Sequence, residues 1–196
     1  DILRDTAGMF IRSNEGYDFA AWAHVLREHP EFKAVDILYL LNDSVVGPLK
    51  QEHLLSALAR IRGGTAQVYG MTENYEQGWN LQSYFLAIKQ PALRSQAFDT
   101  FFESVVSLES KQAVIENYEI SFASRMVHAG IQTEALFALP SERNVTIYYW
   151  EELMGRGFPF VKVQVARDEL PGVDRNAVRR FLQNAGCSQE ELTAIC

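Results

Sequence analysis

The stretch Asp36-Ile37-Leu38-Tyr39-Leu40-Leu41-Asn42-Asp43-Ser44-Val45-Val46-Gly47-Pro48 decides how the chain is read. A short apolar run, Ile37 to Leu41, stops at three oxygen-bearing side chains, and Gly47-Pro48 marks a turn. An apolar run of that length between polar and turn residues reads as a strand buried on both faces. In open α/β sheets, ligands bind outside the carboxyl ends of such strands. Asn42, Asp43 and Ser44 are therefore placed at a candidate site. The same three residues also favour strand-ending turns for local hydrogen-bonding reasons.

Working outward, Met9-Phe10-Ile11-Arg12 reads as a short strand leading into the polar turn 13–17. Asp18 reads as the N-cap of a helix whose stripe is Phe19, Trp22, Ala23 and Leu26. Leu54, Leu55, Leu58 and Ile61 make a second helix, stopped by Gly63-Gly64. Strands are expected at Gln67–Met71, Gln82–Ile88 and Phe158–Val165. Helices are expected at Ser95–Val105, Lys111–Ala129 (ending at Gly130), Ile147–Gly155, Arg175–Ala185 and Ser188–Ile195, the last opened by a Ser188/Glu191 capping box. Strands alternating with helices predict an α/β fold with a largely parallel sheet.

Composition narrows the function classes. Of the 196 residues, 47% are apolar and 22% charged, which supports a real core and argues against global disorder. A net charge of −7 argues against a nucleic-acid binder with a broad basic surface. No apolar run is long enough for a membrane span, and the first residues lack the pattern of a signal peptide. Cys187 and Cys196 form neither a metal pattern nor a disulfide framework, so a reducing, cytoplasmic setting is expected. His24, His29, His53 and His128 lack metal-ligand spacing, with His24 and His128 expected on helix surfaces.

Two strand ends matter together. If the first two strands are neighbours, the turn Asn14-Glu15-Gly16-Tyr17-Asp18 and the turn Asn42-Asp43-Ser44 converge on one crevice. Gly16 would let a ligand approach the backbone. A simple helix cap is the other reading of Asp18, and both stand at this point.

Five blocks resemble those of the rhamnan synthesis protein F family of bacterial glycosyltransferase-like proteins, and they occur in that family's order. They are Asn14-Glu15-Gly16-Tyr17-Asp18-Phe19-Ala20-Ala21-Trp22, Leu40-Leu41-Asn42-Asp43-Ser44-Val45-Val46-Gly47-Pro48, Asn80-Leu81-Gln82-Ser83-Tyr84-Phe85-Leu86, Val114-Ile115-Glu116-Asn117-Tyr118-Glu119-Ile120 and Gly157-Phe158-Pro159-Phe160-Val161-Lys162. The resemblance implies an α/β, Rossmann-like GT-A-type glycosyltransferase fold with a mostly parallel central sheet and helices on both faces. It implies one glycosyltransferase-like domain over 1–196, a fragment of a longer protein or a sheet starting at Met9, with a C-terminal helical appendage over 166–196.

The activity implied is inverting transfer of a sugar such as rhamnose from a nucleotide-sugar to a glycan or lipid-linked glycan. It would serve bacterial surface-polysaccharide synthesis, with peripheral association with the membrane assembly machinery at the inner face. Glu119 falls where such enzymes carry the general base. Asn14, Gly16, Asp18, Asn42, Asp43, Ser44 and Lys162 are the implied donor-binding residues. Trp79, Gln82, Ser83 and Tyr84 form an aromatic-polar cluster suited to the acceptor sugar.

Asn42-Asp43-Ser44 stands in place of the usual D-x-D. Asp43 alone carries charge there, so it is the one metal candidate and strong binding of Mg²⁺ or Mn²⁺ is in doubt. Asn42 and Ser44 oxygens remain to meet a ribose or sugar hydroxyl. Arg125 is a further cationic candidate, with a surface ion pair as its simpler reading; Glu116 reads as a solvated helix residue. Tyr148, Tyr149 and Trp150 are read as packing residues that could border an acceptor groove. Two rival readings are a non-catalytic glycan-binding or scaffolding module with the same fold, and a phosphate-binding α/β domain.

Overall fold

The computed structural model describes residues 6, 8–13 and 15–195. In chain order the elements are α1 (Tyr17–Glu28), a 3₁₀ turn (Pro30–Ala34), β1 (Ile37–Leu41), β2 (Val45–Val46), α2 (Gln51–Gly63), β3 (Val68–Gly70), β4 (Glu73–Asn74), β5 (Asn80–Leu81) and β6 (Phe85–Lys89). Then come α3 (Gln90–Leu93), α4 (Gln96–Ser104), α5 (Lys111–Val114), a π-helical turn (Ile115–Glu119), α6 (Ile120–His128) and β7 (Thr133–Ala135). The chain continues through α7 (Val145–Tyr148), α8 (Trp150–Gly155), β8 (Val161–Lys162), α9 (Val163–Arg167), α10 (Arg175–Asn184) and α11 (Gln189–Ile195).

The main sheet has the order β1-β6-β3-β7. β6 runs antiparallel to both β1 and β3, whereas β3 and β7 are parallel. The sheet is therefore mixed, not mostly parallel as the alternation of elements suggests. The cause is the connection: only the β4–β5 hairpin separates β3 from β6. A parallel return needs a crossover of a dozen or more residues, usually helical. α2, by contrast, carries the chain from β1 to β3, and those two strands point the same way.

Helices cover both faces, and the alternation of side chains along the strands explains why. Leu38, Leu40, Val68, Leu86 and Ile88 face a core built with Phe19, Ala23 and Leu26 of α1, Phe98, Phe101 and Phe102 of α4, and Phe122 and Met126 of α6. Ile37, Tyr39, Tyr69, Phe85 and Ala87 face the opposite way, onto Ala57 and Ile61 of α2 and onto Leu153, Phe158 and Phe160. These sets obey the period of two for strands and the 3–4 spacing for helices. A third cluster joins Trp150, Val161 and Val165 to Val178, Leu182 and Leu192, holding α10 and α11 to the rest.

Several boundaries differ from the sequence reading. Residues 8–13 form no strand; Ile11 is 86% exposed, and no partner strand pairs with it. β1 is an edge strand: both its faces pack on core, but only Leu40 is fully buried and Leu41 is 47% exposed. Gln82–Tyr84 is a connection, and β6 begins at Phe85. After two residues paired with β2, the Phe158–Val165 stretch turns into α9. The helix at Lys111–Ala129 holds a π turn, and Tyr149 breaks Ile147–Gly155 into α7 and α8. The capping box forms as read: Glu191 N donates to Ser188 Oγ, and Ser188 N to Glu191 Oε2 at 2.7 Å. The Gly47–Pro48 peptide is cis.

Candidate functional site

Because β6 is reversed, its amino end lies on the same edge of the sheet as the carboxyl ends of β1 and β3. Asn42 N donates to Tyr84 O at 3.3 Å, and Gln82 N to Thr72 O at 3.0 Å. Val163 N donates to Ser44 O at 2.9 Å, which brings Lys162 to the same edge. The result is a cleft of about 430 Å³. Ligand pockets commonly run from about 300 to 1,000 Å³. Its walls include Asp18, Asn42, Asp43, Ser44, Gln82, Ser83, Tyr84, Glu119 and Lys162, all expected from sequence.

The two expected turns do converge, but through α1 instead of a first strand. The helix starts at Tyr17, so Asp18 sits in its first turn and is not the N-cap. The Asp18 carboxylate accepts from Asn42 Nδ2 at 2.9 Å, across 24 residues. Burial pushes the Asp18 carboxyl above its ordinary value; the Asn42 bond opposes this, and Asp43 adds to it. Tyr17, at the cleft wall, holds a φ of 55°. Positive φ is an uncommon, strained state for a bulky residue, of a kind that clusters at functional sites.

Asn42 is engaged in holding the turn. Its Oδ1 accepts from Ser44 N at 3.1 Å and Ser44 Oγ at 2.6 Å. Both lone pairs of that oxygen are used, so the expected Asn42 contact to a hydroxyl has no free acceptor behind it. Asp43 is exposed, and its carboxylate has no hydrogen-bond partner among the described residues. A hard divalent cation takes one or two carboxylates together with substrate phosphates. Asp43 and Asp18 lie close enough to influence each other, and they could supply such a pair. Among the described residues no group of three or more His, Cys, Asp or Glu could hold a metal by itself.

The opposite wall is the π turn. Widened helical turns of this kind recur at functional sites. Here the turn lets Tyr118 point into the core while Ile115, Glu119 and Ile120 line the cleft. Tyr118 OH donates to Val106 O at 3.0 Å and accepts from Val106 N at 2.9 Å, which anchors the turn. Glu119 is half-buried, and its carboxylate has no hydrogen-bond partner among the described residues. Lys162 Nζ stands 5.3 Å from the Tyr84 ring centroid. Desolvation pulls the Lys162 ammonium below its ordinary value; Glu119 and Glu76 oppose this, and Lys111 adds to it.

Other expected residues lie elsewhere. Gly16 packs behind the cleft: a Cβ there would meet Ser107 Cα at 2.6 Å and Ala20 Cβ at 2.7 Å. Its freedom serves helix packing, and it does not line the cleft. Trp79 packs on the core with Nε1 donating to Glu73 Oε2 at 2.8 Å, outside the cleft lining. Asn14 lies outside the described residues. Arg125 is exposed over the Phe101 ring, and Glu116 accepts from Gln112 Nε2 on the helix surface. His24 and His128 are exposed on helices as read. Trp150 is buried against Phe181, and Tyr148 lies under the Arg143 guanidinium.

Sequence reasoning missed Lys111, Glu76, Asn80 and Asn144, all of which line the cleft. Glu76 also borders a wider groove of about 1,030 Å³ with Tyr75, Ser141 and Arg143.

The family profile described as Rhamnan synthesis protein F matches residues 1–185. The chain belongs to the rhamnan synthesis protein F family. Two Vibrio anguillarum sequences, one from strain ATCC 68554 / 775 and each named virulence protein VirA, are 23% identical over 208 residues. The alignment covers 88% of this chain and 66% of each relative, so the chain spans just under two thirds of their length. No solved structure matches. Among the described residues, no helix is long and apolar enough to cross a membrane.

Proposed function

We propose that this member of the rhamnan synthesis family is a GT-A-like glycosyltransferase module. It transfers a sugar, with rhamnose the first candidate, from a nucleotide-sugar to a glycan or lipid-linked glycan at the inner face of the membrane. The observation that carries the reading is the cleft itself. It gathers Glu119, whose carboxylate has no hydrogen-bond partner among the described residues, with Asp43, Lys111 and Lys162 on its walls.

In this reading the acceptor hydroxyl attacks the anomeric carbon from the side opposite the diphosphate, with inversion. The new C–O bond forms as the bond to the diphosphate oxygen breaks, and the diphosphate leaves with the electron pair. Glu119 takes the hydroxyl proton. Lys162 and Lys111 offset the charge that develops on the leaving group. Asp43 and Ser44 Oγ hold the donor at the β1 turn. A divalent cation at Asp43 and Asp18, bound together with the diphosphate, would supply further neutralisation. The groove beyond Glu76 gives the acceptor glycan a route to the cleft.

The test is transfer of radiolabelled sugar from candidate nucleotide-sugars to the matching glycan acceptor. Removing a general base typically costs about 10²–10⁴-fold in rate. Glu119→Gln should lose transfer on that scale and keep nucleotide binding. Transfer at the wild-type rate in Glu119→Gln removes the base assignment. Glycan binding with no nucleotide binding would favour the scaffolding reading.

A further inference from the structure

The amide orientations on the cleft floor are set by one backbone N–H. Thr146 N can only donate, so the Asn144 atom 3.1 Å from it is the oxygen. That oxygen also receives Thr146 Oγ1 at 2.7 Å. The Gln82 atom 3.3 Å from it must then be the amide nitrogen. Gln82 Oε1 accepts from Thr72 Oγ1 at 2.7 Å, and Thr72 in turn accepts from the Tyr84 hydroxyl at 2.7 Å. Every oxygen along this chain has its role fixed.

Beside the second N–H of Gln82 Nε2, two groups matter here. Asn144 Oδ1 takes three donors, whereas both N–H groups of Asn144 Nδ2 lack a partner among the described residues. Asn144 is only 8% exposed, and it lines the cleft. Tyr39 OH is the one fully buried polar side-chain atom without a partner among the described residues, so Asn144 Nδ2 opens onto the cleft. Beside it, one oxygen of the Glu76 carboxylate accepts the Asn144 backbone N–H at 3.0 Å. The other Glu76 oxygen has no partner among the described residues. An amide donor and a carboxylate acceptor thus stand side by side.

A hydroxyl group both donates and accepts, so a pair of sugar hydroxyls matches this arrangement. A phosphate oxygen only accepts, and Glu76 repels it. We propose that Asn144 and Glu76 read hydroxyls of a pyranose in the cleft. Asn144 donates to one hydroxyl oxygen, and Glu76 accepts the proton of another. Thr72 and Thr146 act as positioning residues that fix the two amides. The proposal deepens the glycosyl-transfer reading and rests on it for the presence of a sugar. The donor's sugar and the acceptor's terminal sugar share the chemistry.

The test is saturation-transfer NMR on wild type, Asn144→Asp and Glu76→Gln. The probes are methyl α-L-rhamnoside, methyl α-D-glucoside, thymidine diphosphate and thymidine diphosphate-rhamnose. Aspartate keeps the acceptor for Thr146 and Gln82, removes the two N–H donors and adds a negative charge beside Glu76. Glutamine keeps the acceptor for Asn144 N and removes the charge.

Both variants should weaken sugar-proton transfer about tenfold or more and leave thymidine-proton transfer unchanged. Loss with the methyl glycosides assigns the acceptor's sugar; loss confined to the nucleotide-sugar assigns the donor's. If glycosides bind through Asn144 while no nucleotide binds, the hydroxyl-reading pair stands and the transferase reading falls. Undiminished sugar-proton transfer in Glu76→Gln and Asn144→Asp, or no transfer to any sugar in wild type, overturns it.

Discussion

Asn42→Asp would return an acidic residue to the position where the sequence departs from D-x-D, and the bonds around Asn42 set its cost. The two bonds from Ser44 survive, because a carboxylate oxygen accepts as an amide oxygen does. The bond to Asp18 does not: oxygen would now face oxygen at the 2.9 Å where Asn42 Nδ2 donates. A hydrogen bond to a charged group contributes about 1.5–3 kcal/mol. Allowing for partial exposure of the like-charge contact, the cost is about 2–3 kcal/mol at neutral pH. In a domain of this size, 1 kcal/mol moves the melting midpoint by about 2–4 °C. Asn42→Asp should therefore melt roughly 4–12 °C below wild type.

The pH dependence has a definite sign. The Asp18 carboxyl already sits above its ordinary 3.8, and the Asn42 bond is the main influence pulling it back. Removing that bond raises the carboxyl further. A carboxyl raised on folding costs stability above its folded-state value, and the cost is relieved as pH falls through it. One proton shared between the new carboxyl and Asp18 re-forms the bond, so the gap to wild type should narrow on acidification. Mn²⁺ should narrow it at neutral pH, because two or three carboxylates would then face one cation. Differential scanning fluorimetry across pH, with and without Mn²⁺, measures this. A gap that is absent at neutral pH, or that widens on acidification, would refute the reasoning.

Tyr39 OH is buried without a hydrogen-bond partner among the described residues, so Tyr39→Phe should hold or raise stability by about 1 kcal/mol in urea unfolding; a clear loss would show a hidden partner. Gly16→Ala adds a methyl at a φ of 73° and at 2.6 Å from Ser107 Cα, so it should cost more than about 1 kcal/mol; an unchanged unfolding midpoint would mean α1 packs otherwise. Lys162 loses its proton below the ordinary 10.5, so diphosphate affinity should begin to fall at a lower pH than an ordinary lysine would give. Lys162→Met should lack that alkaline limb, and an identical profile in the variant would assign it elsewhere. By linkage, stability should rise with pH between the folded and unfolded values of Lys162, because the unfolded chain holds the proton longer.

What could be read from sequence tracks physical periodicity. The helical stripes at Phe19–Leu26 and Leu54–Ile61, the Ile37–Leu41 strand and the Ser188 capping box each carry a repeating or fixed-offset pattern. The reversed β6 does not: direction depends on whether a crossover helix intervenes, and Glu73–Leu81 carries no alternating pattern that marks a hairpin. The π turn is invisible because one widened turn barely disturbs helical spacing. The Asp18–Asn42 bond joins residues with no shared periodicity; sequence pairs the two turns through a first strand, and the structure pairs them through α1. Asn144 and Glu76 sit in irregular polar segments. The one local cue is Asn144 two residues before Thr146, an N-cap arrangement that signals a helix start and says nothing of the unused amide. Trp79 shows the converse, since an aromatic beside polar residues reads as a sugar platform yet packs on the core with its N–H on Glu73.

Isothermal titration of thymidine, uridine and guanosine diphosphates and their sugar conjugates into wild type, Asp43→Ala and Lys162→Met tests the central claim, that the cleft at the β1 edge is a nucleotide-sugar site. We expect saturable one-site binding of one nucleotide, weakened at least about tenfold (1.4 kcal/mol) in Lys162→Met, with extra affinity when the sugar is present. No binding of any nucleotide, or binding that neither variant weakens, would contradict it.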